Sequence, residues 1–297
     1  MDRPGFKEFL VTLLKRGRVN DEHIDIFLSP ENLVKFDLAF IHKTFDPVDN
    51  YEMMEFLGDG TVNEFIPYYI KIRFPRIVSV KWLTKIKHNM VSKKQLARLA
   101  KVQGLEKFIR YGKKMEEEMA KNRDLDNNIE YLSMLEDVME AFFGCLTLVI
   151  ENSGRDHGVA VQVSANILKS FFDNEEISIK YTDVFDAVSR LKELYESKER
   201  GFKWPTGEID ESKKRGFKQP IGEQAYEITR PHGDQFKVTV YGWPLNDKKP
   251  VLANRVVLAT AFDIEKQNAK QKAAKQALAI LDSSHGIREL PSNPYEK

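Results

Sequence analysis

Two short acidic stretches hold the residues best suited to chemistry: Glu52-Met-Met-Glu-Phe-Leu-Gly-Asp59 and, about eighty residues later, Leu135-Glu-Asp-Val-Met-Glu-Ala-Phe-Phe-Gly144. If each is helical, Glu55 and Asp59 share a face at i,i+4, and Asp137 and Glu140 share one at i,i+3. Two such helices packed together can present four carboxylates to one point. Acids gathered that closely repel and are driven to protonate unless a cation neutralises them, and hard divalent ions such as magnesium prefer oxygen ligands. The chemistry that follows is metal-assisted phosphodiester hydrolysis. Phe56, Leu57, Val138, Ala141, Phe142 and Phe143 put the acids beside core-facing positions. The same spacing also suits two amphipathic helices whose acids face solvent or pair with lysines, because charged residues are mostly exposed.

The rest of the chain has to position these groups. Its 297 residues suffice for two ordinary domains. No apolar run approaches the ~20 residues a membrane helix requires, and the start has no basic region followed by an apolar one, so no membrane association or secretory signal is expected. Cys145 is the single cysteine; it excludes an internal disulfide, fits an intracellular setting, and reads as a small core residue. The net charge is only +1, so any nucleic-acid binding must rest on local clusters. Between Lys81 and Lys101, Lys85, Lys87, Lys93, Lys94 and Arg98 occur without an acid, on a helical pattern that turns Leu83, Ile86, Met90, Leu96 and Leu99 inward. Near the C-terminus Lys266, Lys270, Lys272 and Lys275 form a second such run, with Ala269, Ala273, Ala277 and Leu281 beneath. Before it, residues 183–195 read as an amphipathic helix, and 225–228, 236–241 and 255–260 as strands. A near-repeat, Arg200-Gly-Phe-Lys-Trp-Pro-Thr-Gly-Glu208 and Arg215-Gly-Phe-Lys-Gln-Pro-Ile-Gly-Glu223, is rich in turn formers and reads as structural.

The first acidic stretch resembles the signature of the ribonuclease III family, and the second resembles that family's other acidic segment. Phe40-Ile-His-Lys-Thr-Phe45 is similar to its Leu-Thr-His-Lys-Ser-Phe element, and Leu83-Thr-Lys-Ile-Lys-His-Asn-Met-Val91 to a further helix, in the same order. The resemblance implies an α-helical endonuclease domain over residues 1–177 in which Glu55, Asp59, Asp137 and Glu140 hold catalytic magnesium, with manganese as a substitute, and Glu52 is an accessory acid. It implies an endoribonuclease that cuts double-stranded RNA to staggered ends, and a homodimer in which Phe56 enters a socket on the second subunit. The chain departs from the family pattern at Met53, at Gly60, and at Val80-Lys81, where an auxiliary Glu-Gly is common.

Residues 178–285 resemble a small α+β (α-β-β-β-α) double-stranded RNA-binding domain, with residues 286–297 as a tail. The resemblance implies RNA contacts from Glu193, His232, Lys266 and Lys270; Gln267 and the stretch 261–265 depart from the pattern. In this fold lysines at the last helix's N-terminus meet phosphates and read duplex shape. A non-cleaving double-stranded RNA-binding protein, either a silencing suppressor or a structural ribonucleoprotein subunit, is the alternative function. A heteromer with another ribonuclease III-like partner is the alternative assembly.

Overall fold

The structure is a computed structural model that describes residues 3–121, 124–196, 226–230, 233–242, 256–285, 289 and 293–295. It divides into two compact units, residues 1–177 with 294–297, and residues 178–293. The near-repeat at 200–223 and His232 lie outside the described residues.

The described residues of the first unit are helical apart from short turns and one bridge, Ile41 to Arg110. The helices are α1 (Phe6–Arg16), α2 (Asp21–Phe27), α3 (Pro30–Leu38), α4 (Glu52–Arg73), α5 (Val80–Met90), α6 (Lys93–Gln103), α7 (Lys113–Lys121), α8 (Ile129–Asn152) and α9 (His157–Phe172). Their ends carry local signals. Asn20, Ser29 and Asn128 each accept a hydrogen bond from the backbone N–H three residues on, which starts α2, α3 and α8. Gly104, at φ +84°, ends α6 in the left-handed conformation. The predicted basic helix over 81–101 is two helices, α5 and α6, broken at Val91 and Ser92, where Ser92 takes an extended conformation and its hydroxyl donates back to Asn89 O.

Helix α8 is the axis of this unit. Tyr131, Leu135, Val138, Phe142, Phe143, Leu146 and Val149 point in different directions around it and all are buried, the pattern of a helix enclosed by others. Each such side chain contributes roughly 1.5–3 kcal/mol relative to exposure. Cys145 is among them, fully buried.

Helix α4 lies against α8 more closely than side chains normally allow. A Cβ on Gly58 would sit 1.8 Å from the backbone oxygen of Glu140, and one on Gly144 would sit 1.9 Å from that of Met54. The two helices therefore meet backbone to backbone at a reciprocal pair of glycines.

The second unit contains α10 (Tyr181–Val184), α11 (Ala187–Glu196), β1 (Tyr226–Thr229), β2 (Phe236–Gly242), β3 (Val256–Asp263) and α12 (Lys266–His285). The strands form an antiparallel sheet in the order β1-β2-β3, with Ile228 opposite Val238 and Thr239 opposite Thr260. The helix predicted from residue 183 starts at Ala187 instead. Asp186 accepts the Ser189 N–H at 3.0 Å and begins a new helix there. Leu191, Leu194 and Tyr195 from α11, Val238 and Val240 from β2, and Ala269, Ala273, Ala277 and Leu281 from α12 form the core. The alanines let α12 lie close to the sheet.

Candidate functional site

The acidic residues of α4 and α8 share the seam made by Gly58 and Gly144. On α4, Glu52, Glu55 and Asp59 follow one another at helical spacing; on α8, Asp137 and Glu140 do the same, with Glu136 beside them. Glu140 is buried, Glu55 and Asp137 are half-buried, and Asp59 and Glu52 are exposed.

Burial and crowding set their electrostatics. Burial first, then the charges of Asp59, Glu136, Glu55 and Asp137, push the Glu140 carboxyl up to about 8. Burial, then Asp137 and Glu52, push Glu55 up to about 7, with Lys43 pulling the other way. Asp137 is raised by burial and held back by a hydrogen bond from Tyr51. The other three predicted carboxylates therefore all act on Glu140, and Asp137 acts on Glu55 as well. Among the described residues no group of three or more His, Cys, Asp or Glu side chains is close enough to hold a metal ion.

Two lysines flank these acids. Lys43 Nζ lies 2.9 Å from Glu52 Oε1, and Lys93 Nζ lies 2.9 Å from Glu136 Oε2. Asn63 Nδ2 donates to Asp59 Oδ1 at 2.6 Å, and Tyr51 OH donates to Asp137 Oδ2 at 3.0 Å. Glu136, Tyr51 and the two glycines were not singled out as functional from the sequence, and Lys93 appeared there only as one of a basic run. Only the glycines carry a local signal, since two glycines inside apolar helices cost about 1 kcal/mol each unless close packing needs them.

Phe56 points outward from α4 and is 75% exposed. Met53, Leu57, Tyr68 and Ile72 on the same helix are also exposed, so among the described residues nothing covers these apolar side chains of α4.

In the second unit Lys266 opens α12 and is exposed; Lys270, one turn on, holds its Nζ 4.8 Å from the centre of the Tyr226 ring. Glu193 is on α11, where its Oε2 accepts from Tyr181 OH at 2.9 Å.

A family model described as Ribonuclease-III-like matches residues 33–164, a span that takes in Glu55, Asp59, Asp137 and Glu140. A candidate ribonuclease 3 of Frog virus 3 (isolate Goorha) is 33% identical over 184 residues, covering 61% of this chain and 46% of that protein. A candidate ribonuclease 3 of Invertebrate iridescent virus 6 is 29% identical over 301 residues, 96% of this chain and 90% of that protein. Ribonuclease 3 of Streptococcus agalactiae serotype Ia is 27% identical over 276 residues, 90% of this chain and 98% of that protein. The chain thus spans under half the length of the first relative and most of the other two.

Proposed function

Since the chain belongs to the ribonuclease III family of endoribonucleases, we propose that it cleaves double-stranded RNA by divalent-metal-assisted hydrolysis at Glu55, Asp59, Asp137 and Glu140. The observation that carries this reading is Glu140: a buried carboxyl, pushed up to about 8, with four other acids in its field. A donor set of carboxylates alone fits a hard cation such as magnesium, or manganese in its place, and does not fit a softer metal.

When bound, such an ion supplies an activated water nucleophile and stabilises the leaving oxygen. The chain's own contribution is placement. Gly58 and Gly144 let the two backbones meet and so bring the acids of α4 and α8 to one seam. Asn63 orients Asp59, and Glu52 extends the acidic row. Lys43 and Lys93 offer positive charge at the margin, where a phosphate backbone approaches.

We assign residues 1–177 as the endonuclease domain and 178–285 as a double-stranded RNA-binding domain. The helix–three strands–helix order and the lysines of α12 support the second assignment. Lys266 and Lys270 would grip phosphates, and Glu193 on α11, with His232, would complete the duplex contact. Phe56, on an uncovered apolar face, is the proposed centre of a homodimer interface, and two sites so related would each cut one strand to leave staggered ends. No helix among the described residues is long and apolar enough to cross a membrane. The one cysteine is buried and unpaired, which suits a reducing compartment, and on that ground we place the protein inside cells.

The test is incubation of a long labelled RNA duplex with the protein in magnesium, beside Glu140→Ala. Short duplex products from the wild type alone are expected. A duplex shifted on a gel but left uncut by both proteins would identify the sequestering alternative instead.

A further inference from the structure

We infer that Tyr51 is a positioning residue for Asp137, and that the Phe40–Phe45 segment acts on the carboxylate site through it; the inference rests on the metal-site reading above. Tyr51 stands immediately before α4, where its carbonyl accepts the N–H groups of Met54 and Glu55 at 2.8 and 2.9 Å. Its side chain is buried, with the residue only 2% exposed, yet its hydroxyl is partnered: it donates to Asp137 Oδ2 at 3.0 Å, across 86 residues of sequence. A buried phenol needs such an acceptor. With Oδ2 engaged, the carboxylate cannot turn freely about its Cβ–Cγ bond, and Oδ1 is the oxygen left for a cation.

The tyrosine is itself held in place. Its backbone N–H donates to Ile41 O at 3.0 Å, and its ring meets the His42 ring edge-on, with centroids 5.6 Å apart. His42 is buried, and its backbone N–H donates to Arg110 O at 2.8 Å. Its Nδ1 accepts the Thr44 N–H at 3.1 Å and lies 2.7 Å from the Thr44 hydroxyl. Because a backbone amide can only donate, Nδ1 is an acceptor and the proton of the neutral ring sits on Nε2. Thr44 Oγ1 accepts in turn from the Gly112 N–H at 3.0 Å.

Gly112, Thr44, His42, Tyr51 and Asp137 thus form one connected series ending on a metal-binding carboxylate. His42 braces the ring that aims the acid. Hydrogen bonds behind metal ligands of this kind fix ligand orientation, and their loss typically weakens metal binding or activity by about 10–100-fold.

Tyr51→Phe removes the hydroxyl and keeps the ring against His42. Magnesium is titrated calorimetrically into the wild type, Tyr51→Phe and Glu140→Ala, with the metal-free Tm of each and kcat across a magnesium range. For Tyr51→Phe the expected result is a metal-free Tm near that of the wild type, magnesium binding weaker by about 10-fold or more, and kcat recovered as magnesium is raised. Wild-type magnesium affinity in Tyr51→Phe, with binding lost in Glu140→Ala, overturns the inference and leaves the metal site standing. Wild-type affinity in both variants overturns the metal-site reading itself. Should Tyr51→Phe not fold, Thr44→Val reads the same series two residues further back: weakened magnesium binding supports it, and unchanged binding counts against it.

Discussion

Glu140 is held at the seam of α4 and α8, where burial and Asp59, Glu136, Glu55 and Asp137 disfavour its charge. Its folded pKa, about 8, lies above the ordinary 4.5. Protonation therefore favours the folded state: that contribution is complete below about pH 4.5 and is lost as pH rises through about 8. Glu55, pushed up to about 7, acts in the same direction. In EDTA the wild type should lose Tm between pH 5 and pH 8 relative to Glu140→Gln, which carries no charge there, while the same variant cuts RNA no faster than background. Differential scanning calorimetry across that pH range checks the first expectation, and parallel curves for the two proteins would count against it. Added magnesium should recover the wild-type Tm at pH 8 and leave that of Glu140→Gln almost unmoved.

Among the elements, the crossing of α4 and α8 decides the site, and three glycines test it with opposite signs. A methyl group at Gly58 or Gly144 would be driven into the facing backbone, so Gly58→Ala and Gly144→Ala should each destabilise by about 1–3 kcal/mol or more and weaken magnesium binding as the seam widens. At Gly60 a methyl group meets nothing within 4 Å. Gly60→Ala should stabilise by roughly 0.5–1 kcal/mol through helix propensity alone. Urea unfolding midpoints distinguish the three, and equal effects at Gly58 and Gly60 would refute the backbone contact. The elements also show what local pattern can and cannot supply. Helical spacing of the acids anticipated parts of α4 and α8, and the lysines over alanines anticipated α12, while the break between α5 and α6 at Ser92 and the late start of α11 at Ala187 come with local hydrogen bonds that a hydrophobic pattern does not contain.

At the scale of the whole protein the expected properties are assembly and the separation of binding from cleavage. Phe56→Asp, on the uncovered face of α4, should give monomers with little activity; sedimentation of an unchanged dimer in analytical ultracentrifugation would refute the proposed interface. Chelation should abolish cleavage and leave duplex binding largely intact, because the lysines of α12 act without metal. Calcium, larger and less demanding in geometry, should support binding with little turnover. Lys266→Ala and Lys270→Ala should each weaken binding similarly for all duplex sequences and lower the salt dependence, the slope falling by about 0.7–0.9 for each phosphate the variant no longer neutralises. Gel-shift titrations at several salt concentrations, with and without EDTA, read both.

What the sequence determined by itself is short-range. Helical spacing puts Glu55 with Asp59 and Asp137 with Glu140 because side chains three and four residues apart share a face whatever surrounds them, and the two basic runs are visible for the same reason. The tertiary structure decided which faces meet. Glu136 with Lys93, Tyr51 with Asp137, and Gly58 with the Glu140 carbonyl join residues 43 to 86 positions apart. No local preference encodes those pairings; they follow from packing α8 at the centre of its unit and from the close approach of α4, which only a glycine on each helix permits.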